Sequence, residues 1–153
     1  MRSITRIAMC AALASCAAFG LARAQDAQTA RVGSRMSYNF DVRDPGIGAQ
    51  LDLPIAPRLA LYPSGAVYLV DRGSLYGLNA DVKVRVARPL YVGGGLNLMH
   101  RSVADVGNTD AGVNLLGGLE GRVGRRVHPF AEGRVILNDG SAFELGAGLS
   151  IIL

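Results

Sequence analysis

Side chains able to do covalent or metal chemistry are scarce in this sequence. Its two Cys stand at 10 and 16 and its two His at 100 and 128. These spacings match neither a zinc ligand set nor a nucleophile with its base. Gly94-Gly95-Leu96 and Gly117-Gly118 lack a following Lys-Ser/Thr, so they are not phosphate loops. No cofactor or metal is therefore expected. His128, beside Pro129, reads as a turn or interior residue. The chemistry on offer is charge pairing. Asp52, Asp81, Glu120, Glu132 and Glu144 alternate with apolar residues in the same manner as Arg31, Arg35, Lys83, Arg85, Arg122 and Arg134. Ten of them, Arg35, Asp52, Asp81, Lys83, Arg85, Glu120, Arg122, Glu132, Arg134 and Glu144, are expected to form one internal charge network.

The elements that must position these charges read as strands. In Leu78–Val86 the apolar residues Leu78, Ala80, Val82, Val84 and Val86 share one parity, and Asn79, Asp81, Lys83 and Arg85 take the other. Phe143–Leu153 and Val113–Val123 repeat the pattern with the exceptions Ile152 and Leu116. A period of two is the mark of a half-buried strand. The many Gly within apolar stretches disfavour helix. Eight segments follow: 30–40, 46–55, 58–70, 74–87, 89–99, 111–123, 127–137 and 141–153. Asp44-Pro45-Gly46, Asp71-Arg72-Gly73 and Asn138-Asp139-Gly140 read as tight reversals. Pro54–Pro57, Ala87-Arg88-Pro89 and Gly124-Arg125-Arg126 read as short connections on the alternate side. Residues 101–110 are expected to form the one sizeable loop, and Pro63 with Gly65 a bulge. The predicted fold is all-β: an eight-stranded antiparallel meander closed into a transmembrane β-barrel, which removes both sheet edges.

Residues 1–24 read as a secretory signal peptide, and 25–153 as a single barrel domain. Arg2 and Arg6 precede an apolar run from Ile7 to Leu21, and Ala22-Arg23-Ala24 offers a cleavage site. That run is shorter than the roughly 20 residues of a spanning helix. Leu13-Ala14-Ser15-Cys16 also resembles a lipoprotein lipobox, which would make Cys16 a lipidated N-terminus instead. Without Arg2, Arg6 and Arg23 the formal charge of +4 falls to +1. Nucleic acid is thereby excluded as an expected partner.

Alternation leaves open which face points outward. A soluble periplasmic barrel holding an apolar ligand would turn Leu, Val and Ile inward. Three features favour the inverse. The polar face mixes long charged residues with Gly48, Gly77, Gly93, Gly95, Gly118, Gly146 and Gly148, as a narrow lumen requires. Its charges nearly balance, as a closed interior demands. The apolar face is almost free of charge, as lipid requires. Only eight Phe and Tyr lie beyond the leader and the chain has no Trp, so interfacial girdles are expected to be thin.

Pro129-Phe130-Ala131-Glu132-Gly133-Arg134-Val135-Ile136-Leu137-Asn138-Asp139-Gly140 and Phe143-Glu144-Leu145-Gly146-Ala147-Gly148-Leu149 resemble the last hairpin of small bacterial outer-membrane β-barrels. That group includes the OmpA transmembrane domain and the opacity-type porins. The resemblance departs at Leu153, where that family ends in Phe. It implies a porin-like outer-membrane protein of a Gram-negative cell, with outer-membrane lipid and the barrel assembly machinery as partners. It also implies both termini and the Arg-bearing turns in the periplasm, with 101–110 outside. His100-Arg101-Ser102 is similar in spacing to the His-x-Ser of outer-membrane lipid A deacylases, which would make Ser102 a nucleophile and His100 its base. Val103 stands where that family has Asn, and no acid completes the set. The expected role is structural or surface-interacting, not enzymatic, with the lumen plugged against general diffusion.

Overall fold

Period-two alternation over eight segments leaves each strand with one apolar and one polar side, and the chain resolves this by curling the sheet shut. The computed structural model describes residues 29–70, 73–103, 106–138 and 140–153. The proposed leader, with Cys10 and Cys16, lies outside the described residues. The strands are β1 (Arg31–Asn39), β2 (Asp44–Ala56), β3 (Leu59–Tyr68), β4 (Ser74–Ala87), β5 (Leu90–Val103), β6 (Val106–Glu120), β7 (Val127–Leu137) and β8 (Ser141–Ile152). Each pairs antiparallel with the next, and β1 pairs with β8 from Arg31↔Ile152 to Asn39↔Glu144. The result is the expected closed meander barrel, with no helix among the described residues.

The connections depart from expectation in three places. The first reversal falls at residues 40–43, not at Asp44-Pro45-Gly46. Asn39 Oδ1 accepts from the amides of Asp41 (2.9 Å) and Val42 (3.3 Å), a side-chain cap that turns the chain early. Arg43 then takes a left-handed conformation, with φ 61°. The expected loop 101–110 is mostly strand. The β5–β6 ladder runs without a shift from Leu90↔Leu119 to Val103↔Val106. Its polar far end carries Thr109 between Asn108 and Asp110, two residues of low strand propensity held by their partners across the hairpin. The longest described connection is instead 121–126, where Gly124 has φ 64°.

Pro63 causes no bulge either. It pairs with Ala80 in unbroken register with β4. On the β2 side the pairing Gln50↔Ser64 resumes at Leu53↔Leu61 in the same register, and the shift falls at Pro54/Ala56. Pro lacks one donor, and a single gap in one ladder accommodates it.

Inside and outside are sharply divided. Lys83 is buried and Val82 exposed, so the polar parity faces inward. Met36 is 70% exposed and Leu115 61%, and Val84, Leu96, Leu98, Leu145 and Leu149 share that surface. Among the described residues, no Asp, Glu, Lys or Arg occupies an outward position of any strand.

Candidate functional site

The alternation that turns Val and Leu outward carries charged and aromatic side chains from all eight strands into a narrow interior. Space is made by glycine. A Cβ on Gly118 would lie 2.5 Å from the Tyr91 ring, and one on Gly146 would lie 2.6 Å from Arg35 Nη2. Long side chains fill the volume that these positions leave empty.

Near the end that carries the termini, Arg31 on β1 donates to Asp52 Oδ2 (2.6 Å) on β2 and to Glu120 Oε1 (2.6 Å) on β6. Lys83 on β4 joins the same two carboxylates at 2.9 Å each. Arg85, half-buried at the rim, reaches Asp52 at 3.3 Å. Above this layer the Lys83 ammonium lies 4.7 Å from the Tyr62 ring centroid and 4.1 Å from that of Tyr91, within cation–π range. Tyr91 then donates to Glu132 Oε2 at 3.1 Å, joining this layer to the next.

The second layer spans the barrel's middle. Arg35 on β1 meets Glu144 on β8 at 2.7 Å and Glu132 on β7 at 3.4 Å. Arg134 on β7 meets Asp81 across the lumen at 2.9 Å and Glu132 at 3.1 Å. Tyr68 donates to Glu144, and Asn114 donates to Asp81 at 3.0 Å and to Asn79 at 2.8 Å. Beyond it, Ala66, Tyr68 and Leu75 form a buried cluster, with Val42, Val70 and Met99 packed against it.

Of the ten network residues read from sequence, Arg35, Asp52, Asp81, Lys83, Arg85, Glu120, Glu132, Arg134 and Glu144 lie in these two layers. Arg122 does not. Strand β6 ends at Glu120, so Arg122 falls in the 121–126 connection, exposed, with Nε donating to Gly124 O at 3.1 Å. Arg31, on the polar face but outside the ten, takes a central place. The layers therefore hold Arg31, Arg35, Lys83, Arg85 and Arg134 against Asp52, Asp81, Glu120, Glu132 and Glu144, equal in number and opposite in sign. Tyr62, Tyr68 and Tyr91 were not singled out by sequence. Strand β3 places Tyr62 and Tyr68 on one parity with Ser64, a shared parity that is the one sequence signal for them. An apolar ligand site inside the barrel does not fit this filling of charges and phenols.

The His-x-Ser pair lies near the far rim. His100 Nδ1 is 2.7 Å from Thr109 Oγ1, and its ring stacks on Tyr76 at 4.9 Å between centroids. Ser102 pairs with Ser74 and Gly107 through the ladders. Nothing among the described residues couples His100 to Ser102 as base to nucleophile. No group of three His, Cys, Asp or Glu suited to a metal occurs among them either. His128 Nδ1 lies 3.8 Å from Glu120 in the interior wall. The aromatics also divide unevenly. Tyr38, Phe40, Phe143 and Tyr76 are exposed near the far rim, where Phe40 contacts Tyr38 and Phe143 at centroid distances of 4.9 and 5.6 Å.

No protein-family profile and no curated protein matches the chain. Among solved structures, the N-terminal β-barrel domain of Pseudomonas aeruginosa OprF superposes with a TM-score of 0.71 at 14% identity, covering 84% of this chain and 100% of that one. A de novo designed transmembrane β-barrel gives 0.61 at 16% identity, over 84% and 98% of the two chains. Neisserial surface protein A gives 0.55 at 16% identity, over 81% and 96%. The chain shares the small eight-stranded barrel fold of these proteins.

Proposed function

We propose that this chain is an integral outer-membrane β-barrel with a structural or surface-interaction role, and that it neither catalyses a reaction nor serves as a general pore. The single observation that carries the reading is the inversion of the surface. Outward positions of all eight strands are uncharged and rich in Leu, Val and Ile, while the strands' acidic and basic side chains turn inward. In water such a surface would far exceed the apolar patch a monomer exposes. In lipid it is the expected belt, and strands of 9 to 15 residues reach the roughly 9–11 that a spanning strand requires. The names of the Neisserial surface protein and of the designed transmembrane barrels agree with this environment.

Eight strands enclose an interior that side chains fill. Two layers of ion pairs and a buried apolar cluster beyond them oppose the free passage of solutes. Residues 1–24 would direct export, leaving both termini and the Arg-bearing turns in the periplasm and the aromatic rim outside. Outer-membrane lipid and the barrel assembly machinery are the partners this reading requires. The test is fractionation after expression in a Gram-negative host. Recovery in the outer membrane, release only by detergent, and a folded band whose gel mobility changes on heating are expected. A monomer that stays in solution without detergent overturns the proposal. Planar-bilayer recording supplies a second measure, with no steady open-channel conductance expected.

A further inference from the structure

The two ends of the barrel differ in chemistry. The far end holds a buried apolar cluster, whereas the terminal end opens into a cavity of about 840 Å³. Arg58 from the β2–β3 turn, Arg88 from the β4–β5 turn and Arg122 from the β6–β7 connection line this mouth. None of the three makes an ion pair among the described residues. Among the described residues, the Asp or Glu side chain lining the cavity is Glu120 alone, already held by Arg31 and Lys83. Since the interior layers balance, these three cations are in excess.

The wall is also held in place. Arg85 N donates to Arg58 O, Glu120 N to Pro89 O and Gly121 N to Pro129 O, each at 2.8 Å, which ties the three connections to neighbouring strands. Arg122, a lining residue, donates from Nε to Gly124 O at 3.1 Å. His128, another lining residue, presents its ring in the same wall, 3.8 Å from Glu120.

We propose that this mouth binds a phosphate-bearing anion through Arg58, Arg88 and Arg122, with His128 in the wall. Each guanidinium presents a fork of donors matched to paired oxygens. Three forks from three connections exceed what the two oxygens of one carboxylate accept, and a phosphate group offers more. A free phosphoanion and an anionic phospholipid headgroup supply the same chemistry. The proposal rests on the mouth alone and does not require the membrane reading.

The test uses the full chain refolded in uncharged maltoside micelles, with the gel-mobility shift on heating as the check of folding. Titration calorimetry measures inorganic pyrophosphate binding in lipid-free micelles, and phosphatidylglycerol against phosphatidylcholine in mixed micelles. Salt-sensitive binding of pyrophosphate, phosphatidylglycerol or both is expected. The triple variant R58Q/R88Q/R122Q should weaken it about tenfold or more, as loss of charge-assisted hydrogen bonds implies. The far-end variant R43Q/R101Q should leave it unchanged. Binding of pyrophosphate identifies a soluble phosphoanion as sufficient, and binding of phosphatidylglycerol alone identifies the headgroup. Absence of binding to both probes, or equal binding by wild type and the triple variant, or equal loss in the two variants, overturns the proposal.

Discussion

Replacing Arg134 with Met tests the electrostatic account of the interior most directly. Arg134 is 1% exposed and, among the described residues, is the one cation within ion-pair distance of Asp81, at 2.9 Å, while it also touches Glu132 at 3.1 Å. The two acids fare differently once it is gone. Glu132 keeps Arg35 at 3.4 Å and the Tyr91 hydroxyl at 3.1 Å. Asp81 keeps only the Asn114 amide at 3.0 Å, so the stranded charge is that of Asp81. Breaking a buried pair on one side destabilises by about 3–5 kcal/mol. Met roughly retains the stem's packing, so the loss should fall within that range. D81N is expected to be milder, because Arg134 retains Glu132. The double variant D81N/R134M restores neutrality and should recover most of the loss, with a coupling of about 2 kcal/mol or more in the cycle. Urea unfolding in lipid vesicles, followed by circular dichroism and gel mobility, measures all four proteins. If R134M lies within 1 kcal/mol of wild type, or the double variant is no more stable than R134M, the pairing account is wrong.

Further outcomes follow from the same geometry. L115R places a cation on the outward surface at mid-strand and should destabilise the lipid-inserted barrel by about 2–4 kcal/mol; in the same vesicle unfolding assay, an effect under about 0.5 kcal/mol would indicate a water-facing position. G118A pushes a methyl group against the Tyr91 ring and the Ala131 carbonyl, 2.5 and 2.6 Å away, and should lose about 1–3 kcal/mol. G140A meets nothing within 4 Å and should stay near wild type in the same measurement. S102A should leave lipid A acylation, read by mass spectrometry of extracted lipid A, identical to that with wild type. A wild-type-dependent loss of an acyl chain that S102A abolishes would restore the hydrolase reading.

The barrel was legible in the sequence because parity is a strong signal when both faces are chemically pure. Leu78–Val86 shows this best: its apolar residues face out, and Asp81 and Lys83 reach the lumen. Connections were read less well. Asp44-Pro45-Gly46 has turn chemistry, but Asn39 caps the backbone first, and local propensity does not report which of two adjacent caps closes. Polar composition at 101–110 suggested a loop, although strands beyond an apolar belt can be polar without losing their ladder. Arg122 fits the alternation, yet the ladder stops two residues before it, and parity carries no information about where pairing ends. The inward tyrosines were hidden for another reason. A phenol is apolar by composition and polar at its tip, so β3 lacks the clean contrast that exposed β4.

The seam between β1 and β8 has a consequence for how the molecule comes into being. Arg31 and Arg35 are both on β1, and their carboxylate partners lie on β2, β6, β7 and β8. A chain with its last strand undocked would hold Glu144 away from Arg35 and leave one edge of the sheet bare. The ladder and the charge match are completed by the same event, so Arg35 and Glu144 act as a latch that engages only at full circumference. Assembly should then be nearly all-or-none, with an incomplete ring penalised twice, and a chain shortened before β8 should persist only in the care of a chaperone.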